Sequence, residues 1–316
     1  MQNPMKRRAC LPKARRGYQI RQQMELYSLL LPAAALILLF SYIPMWGVII
    51  AFQDYLAGNS LFALDSSVQW VGLKHFKTFI GSINFSRVLF NTLRLSLLNL
   101  AFGFTMPIAF ALMLNEVRNL RFKRFVQTAS YLPYFISMVV VAGMLLSFLD
   151  LNGLINNVLG LFGVKPKEYI AFPQYYPAIY TITNVWKSFG FGSILYFSTI
   201  SSIDPTLYES AKIDGANRWQ QMLHITFPSI LFIIAIQLIL QVGQILNTNT
   251  DLALLLYRPS TYKVSDVFGT YIYRIGIEGG KYSYTTAVGL FMSVIGFTLT
   301  FVTNKISNRL TGHGLW

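Results

Sequence analysis

The sequence predicts an all-α, polytopic membrane protein with six spanning helices and both termini in the cytoplasm. Three observations predict it. The 316 residues are 54% hydrophobic and 12% charged, against about 25% charged in a soluble domain, and the mean hydropathy is +0.48. Six long stretches are nearly free of ionisable side chains. The remaining charges are lopsided, 26 Lys and Arg against 12 Asp and Glu, net +14. A nucleic-acid-binding protein can be this basic but not also this apolar, and disordered chains are poor in large hydrophobic residues. The one cysteine, Cys10, excludes an intramolecular disulfide and a cysteine-based metal site.

A helix needs about 20 mostly apolar residues to cross the hydrocarbon core. The first stretch, Leu26–Gln53, is too long for the core of a cleaved signal peptide and lacks a small-residue cleavage site, so it reads as an uncleaved span. The second is Leu95–Asn115, starting somewhat earlier and carrying Arg94. The third is Phe125–Leu149. The fourth lies near Pro177–Ile203 and contains Lys187. The fifth is Ile225–Thr250 and the sixth Tyr282–Asn304.

Orientation follows from where the basic residues fall. Lys6, Arg7, Arg8, Lys13, Arg15, Arg16 and Arg21 precede the first span. Arg118, Arg121, Lys123 and Arg124 lie between the second and third, Lys212 and Arg218 between the fourth and fifth, and Lys305 and Arg309 after the sixth. The other three loops are longer and hold nine, so both termini are placed in the cytoplasm. This divides the chain into a basic cytoplasmic segment, residues 1–28, and a six-helix transmembrane domain, residues 29–316. The outer loops, about Asp54–Arg87, Asp150–Tyr176 and Asp251–Lys281, are long enough to hold short helices or to meet an external partner.

The loop between the fourth and fifth spans has the strongest local signals. Asp204 suits an N-cap and Pro205 the first helical position. A short helix then runs to about Ile213, Gly215 stops it, a second helix covers Asn217–Leu223, and Pro228 opens the fifth span. Such a helix–Gly–helix hairpin can dock in a groove of another protein. Ala211, Gly215 and Ala216 allow close backbone approach, and Glu209 offers a charge to a basic partner. The plainer reading is a hairpin whose small residues pack against neighbouring spans.

The spacing resembles the cytoplasmic motif of ABC importer permeases: Glu-Ala-Ala, three residues, Gly, nine residues, Ile-x-Leu-Pro. Here Glu209-Ser210-Ala211 is followed at those intervals by Gly215 and Ile225-Thr226-Phe227-Pro228. Ser210 for Ala and Phe227 for Leu are mild departures. The block Ile213-Asp214-Gly215-Ala216-Asn217-Arg218 is similar to the carbohydrate branch of these permeases. Tyr42-Ile43-Pro44-Met45, Tyr131-Leu132-Pro133 and the terminal Gly314-Leu315-Trp316, among other segments, resemble the LplB-type permeases for complex oligosaccharides, so the likeness covers nearly the whole chain from Tyr27.

The resemblance implies a type I ABC importer permease of the bacterial inner membrane. Residues 204–228 would be its coupling loop, with Glu209, Ser210, Ala211, Asp214, Gly215 and Ala216 against an ATPase subunit. The implied partners are a second homologous permease, two ATPase subunits that hold the ATP and Mg, an extracytoplasmic solute-binding protein, an oligosaccharide and membrane lipid, with no nucleic acid. The chain itself is expected to hold no cofactor and no enzyme activity. It has no phosphate-binding loop: Gly280-Lys281 is followed by Tyr282, and Ile275 stands where the first Gly belongs. His75, His224 and His313 fall in separate segments.

Polar residues within spans point to a translocation path. In the fifth span Gln237, Gln241, Gln244 and Thr248 fall on one helical face. They suit sugar hydroxyls, and they also suit hydrogen bonds between helices. Thr92, Ser96, Asn99 and Gly103 in the second span fit helix packing better than pathway lining. Arg94, and Lys187 with Asn184, are candidates for attracting an acidic, alginate-like sugar. The plainer reading of the two cations is snorkelling toward the interface or pairing with an acid of a partner subunit. Two other classes stand beside this reading: an ion-gradient-driven secondary transporter, which would need acids within its spans, and a non-transport membrane assembly protein whose loop binds an ATPase.

Overall fold

The computed structural model describes residues 24, 27–56, 58, 69–312 and 314–316. The basic segment 1–28, with its seven cations, lies almost wholly outside the described residues. The described chain is helical apart from turns, loops and one isolated bridge between Gln53 and Trp70. Its main helices are α1 (Tyr27–Phe52), α2 (Ile83–Asn115), α3 (Leu120–Phe135), α4 (Met138–Leu149), α5 (Tyr176–Ser201), α6 (Pro205–Ile213), α7 (Arg218–Gly243) and α8 (Tyr282–Thr311). Among the described residues five stretches are long and apolar enough to cross a membrane: α1, α2, Met138–Gly160, α7 and most of α8. The expected fourth span, α5, has the length at 26 residues but is more polar, with Thr181, Thr183, Asn184, Lys187 and Ser193.

The second span starts earlier than Leu95, at Ile83, and carries Arg94 inside it as expected. Three other spans differ in detail. The third is broken: α3 ends at Phe135, Ile136 and Ser137 are extended, and α4 starts at Met138 with the Ser137 hydroxyl accepting from the Val140 N–H. The fifth ends at Gly243 rather than Thr250. Its expected short preceding helix, Asn217–Leu223, is instead the first turns of α7, joined to the span through a π-helical turn at Met222–Thr226. The sixth runs to Thr311.

Burying apolar side chains gains little among lipid tails, so close backbone approach must hold the spans together. Glycines provide it. A Cβ on Gly190 of α5 would collide with the Ser130 carbonyl of α3, and one on Gly296 of α8 would stand 2.6 Å from the Gly243 carbonyl oxygen. The helix α2 runs through three buried clusters. Leu95 packs with Tyr176, Tyr180, Leu252 and Val267. Val88 packs with Phe79, Phe268, Tyr271 and Val288, and Ile108 and Ala111 pack with Tyr196, Ile200 and Ile230. In contrast α1 is 6% buried over its most apolar window, against 28% for α8. It meets the body chiefly where Trp46–Phe52 lies along α8. The loop after residue 250 forms a cap of short helices, including Thr250–Leu256 and Phe268–Ile272, as its length implied.

Candidate functional site

The hairpin between α5 and α7 forms where the local signals place it. Asp204 caps α6, its carboxylate accepting from the Thr206 N–H at 2.9 Å, and Pro205 is the first helical residue. That bond holds the Asp204 carboxyl below the usual carboxylate range. Gly215 takes φ +79°, a conformation that costs other residues about 1–2 kcal/mol. The helix end is closed by the Ala216 N–H on the Ala211 carbonyl at 2.8 Å and the Gly215 N–H on the Lys212 carbonyl at 3.1 Å. Asn217 and Gln220 then cap the start of α7 reciprocally.

The hairpin presents one free face. Glu209, Ser210, Asp214 and Gly215 are exposed, and Ile213 is 87% exposed. On α6 only Tyr208 and Ala211, one turn apart, turn toward the body. The Tyr208 hydroxyl shares a 2.9 Å hydrogen bond with that of Thr226. Arg218 reaches across to the end of α2, donating to the Glu116 carbonyl at 3.2 Å and to its carboxylate at 3.4 Å. The hairpin and the Asn115–Arg118 turn therefore share one side of the protein.

Between the spans lies a cavity of about 190 Å³. From α2 it is lined by Ser96, Asn99 and Gly103, from α5 by Tyr180 and Ser188, and from the end of α7 by Gln241 and Gln244. Asn247, Thr248 and Asn249 complete it just past the helix end. Every polar group on this wall is a neutral amide or hydroxyl, which can donate to and accept from a polyhydroxylated solute. Thr248 reaches the cavity from the chain beyond Gln244, not from a helical face shared with the glutamines. Of the second-span stripe, Ser96, Asn99 and Gly103 line the cavity, whereas Thr92 is buried and accepts from the Phe268 N–H.

The remaining pathway candidates lie elsewhere. Gln237 is one turn before Gln241 and is not on the cavity wall. Asn184 accepts from the Asn249 side chain at 2.8 Å, steadying the cavity's rim. Lys187 is turned away, its ammonium donating to the carbonyls of Pro133, Tyr134 and Ile136. Arg94 stands on the opposite face of α2, at an apolar groove lined by Leu98, Phe102, Met106 and α5 residues such as Ile182 and Trp186. Lys187 and Arg94 therefore do not line the polar cavity.

Two clusters on the side away from the hairpin escaped sequence reasoning. Asp266 is buried. Arg274 meets its carboxylate with two bonds of 3.1 Å, and Arg87 of α2 adds a third at 3.2 Å. The Asn91 amide donates to the Asp266 carbonyl, so the cap of short helices after residue 250 is riveted to α2. Asp54, after α1, pairs with Lys74 at 2.7 Å and His75 at 3.0 Å. The Lys74 hydrogen bond draws its carboxyl below the usual range. Neither pairing has a signal in the sequence, because the partners are brought together only by tertiary structure.

A bundle of spanning helices with a small-residue hairpin displayed on one side and an amide-lined cavity between its spans defines a membrane transport subunit. The family of the binding-protein-dependent transport system inner membrane component matches residues 101–312, and the chain belongs to that family, a multi-pass protein of the bacterial inner membrane. It is 39% identical to the polygalacturonan/rhamnogalacturonan transport system permease protein YteP of Bacillus subtilis (strain 168), over 93% of this chain and 91% of that one. It is 37% identical to protein LplB of the same organism over 99% of both. Among solved structures it is similar, at 41% identity and TM-score 0.83, to a chain of a bacterial ABC transporter involved in the import of the acidic polysaccharide alginate, covering 94% of this chain and 99% of that chain. A second structure shows the bacterial alginate ABC transporter with a periplasmic protein bound to an alginate pentasaccharide, with TM-score 0.84.

Proposed function

We propose that this chain is one of two permease subunits of an ATP-driven importer of acidic oligosaccharides. The observation that carries the reading is the free face of the Glu209–Gly215 hairpin, fastened behind to both α2 and α7. Two ATPase subunits, which hold the ATP and Mg, dock on the cytoplasmic side, one of them against the exposed Glu209, Ser210, Asp214 and Gly215, with Ala211 and Ala216 behind them giving the small-residue backing of the hairpin. Closure of the ATPase dimer draws the docked helices together and turns the pathway from inward-facing to outward-facing. Such coupling requires contacts that differ between the two states.

The solute-binding protein delivers the sugar to the outer cap, and the solved relative with a sugar-loaded periplasmic protein supports that partner. The exposed faces of α1 are left for lipid and for the second permease. Inside, Gln241, Gln244, Asn99 and Ser96 offer hydroxyl-matching bonds. The acidic character of the substrate rests on the relatives that handle alginate and polygalacturonan, since the cavity wall carries no cation.

The test is uptake of uronic-acid oligosaccharides into proteoliposomes holding both permeases, the ATPases and the binding protein. Uptake is expected only with ATP inside and binding protein outside. Accumulation driven by an ion gradient without ATP would instead make the protein a secondary transporter.

A further inference from the structure

A docking helix transmits motion only if it is rigidly joined to the span it is meant to move. The backbone joint here is soft. The chain passes from α6 to α7 through Gly215, where φ is +79° and a Cβ would meet no atom within 4 Å. The turn itself is closed by the Ala216 N–H on the Ala211 carbonyl and by the Gln221 amide on the Ala216 carbonyl, both at 2.8 Å, and these bonds hold the turn without reaching the outer length of α6. A push on the exposed face of α6 would be absorbed there unless side chains tie the arms together.

Away from the turn, one hydrogen bond joins a side chain of α6 directly to one of α7. Tyr208 is the larger of the two α6 side chains that turn inward, and its hydroxyl meets that of Thr226 at 2.9 Å. Thr226 is 1% exposed and ends the π-helical turn Met222–Thr226, from which the fifth span continues. Single π-turns cluster at functional sites because the extra residue re-aims the side chains that follow. The other ties serve different parts. The Gln221 amide holds the Ala216 carbonyl of the turn at 2.8 Å, and Arg218 fastens the second arm to Glu116 of α2.

We propose that the Tyr208–Thr226 hydrogen bond is the joint that makes the docking helix and the fifth span move as one body. Tyr208 and Thr226 are thus positioning residues for transport coupling. The proposal rests on the importer reading above. Since α7 ends at Gln241 and Gln244 on the polar cavity, the joint links the ATPase-facing surface to the pathway along a single helix.

The experiment measures sugar transported per ATP hydrolysed by the fully assembled transporter in proteoliposomes. Tyr208→Phe and Thr226→Val each remove one hydroxyl with little change in shape. Each is expected to lower that ratio about five- to ten-fold, the factor that matches losing one hydrogen bond, while ATP hydrolysis continues. Thr226→Ser keeps the hydroxyl and should restore the ratio, and the double variant should be no worse than either single one. An unchanged ratio in Tyr208→Phe would overturn the proposal, as would additive losses in the double variant or a Thr226→Ser ratio as low as that of Thr226→Val. If Thr226→Val does not assemble, the half-buried Tyr208→Phe decides alone. Failure of the wild-type assembly to transport with ATP would instead remove the importer reading.

Discussion

The ammonium of Lys187 lies 2.7 Å from the carbonyl oxygen of Tyr134, at the turn where the third span breaks. Two further bonds, to Ile136 at 2.7 Å and Pro133 at 3.3 Å, use its other protons, and the cation stands 5.4 Å from the Tyr134 ring centre. Carbonyls at a helix end have no partner within the helix. Within a membrane each must find one. Lys187 supplies it from α5, and the negative end of the α3 dipole favours the cation.

Replacing Lys187 with Met is therefore expected to act on the fold. Hydrogen bonds to a charged group contribute about 1.5–3 kcal/mol each, and the loss should show as a lower melting temperature of the purified protein. Uptake of acidic and neutral oligosaccharides should fall by the same factor. A selective loss of acidic uptake would return Lys187 to the substrate path.

Asp266 presents the opposite arrangement, one buried carboxylate shared by two guanidiniums that are 26% and 33% exposed. Removing the acid from a fully buried pair costs about 3–5 kcal/mol, and partial exposure reduces that to about 1–3 kcal/mol. Asp266→Asn should loosen the cap from α2. Limited proteolysis should cut the 250–281 segment sooner, while the 204–228 hairpin at the other end keeps its protection. Equal cleavage of wild type and variant would show that the aromatic packing around Phe268 holds the cap unaided.

The contrast between these two sites and the hairpin explains what the sequence could show. Asp204, Pro205 and Gly215 act on their own neighbours, so the hairpin was legible to within a residue or two. The break at Ile136 was not, because the group that satisfies it comes from about 50 residues later and the hydrophobicity runs on unbroken. Likewise the end of α7 is hidden because Gln244–Thr250 carries no charge, although Asn247, Thr248 and Asn249 are residues that favour leaving a helix. Thr248 thus reached the cavity by a route that helical spacing could not predict. Asn249 and Tyr180 gave no sequence signal at all, since their roles depend on the crossing of α5 with the cap.

Gly215 separates backbone strain from steric bulk. Space around it is open, so a side chain meets no atom and only the left-handed φ is costly. Gly215→Ala should cost about 1–2 kcal/mol of hairpin stability, and Gly215→Asn less because Asn tolerates this conformation. Transport per ATP should therefore rank Gly above Asn above Ala. A ranking that followed side-chain size would instead place the turn against the docked ATPase.

The cap at Asp204 gives a prediction with a definite sign in pH. Its folded pKa is lowered by the Thr206 N–H, so its contribution is complete above the unfolded value of 3.8 and is lost as pH falls through the lower folded value. Between about pH 5 and 8 the cap is constant, and any change of coupling there must come from another group. Asp204→Asn keeps an accepting oxygen without the charge and should leave α6 ordered. Asp204→Ala leaves the Thr206 N–H without its acceptor and should fray the first turn, seen as faster hydrogen exchange over residues 205–213. On the importer reading α6 must be preformed to dock, so Asp204→Ala should also weaken ATPase co-purification, and adding ATPase in excess should restore it. If exchange is unchanged, the docking helix is held by its contacts behind, at Tyr208 and Ala211, and not by its cap.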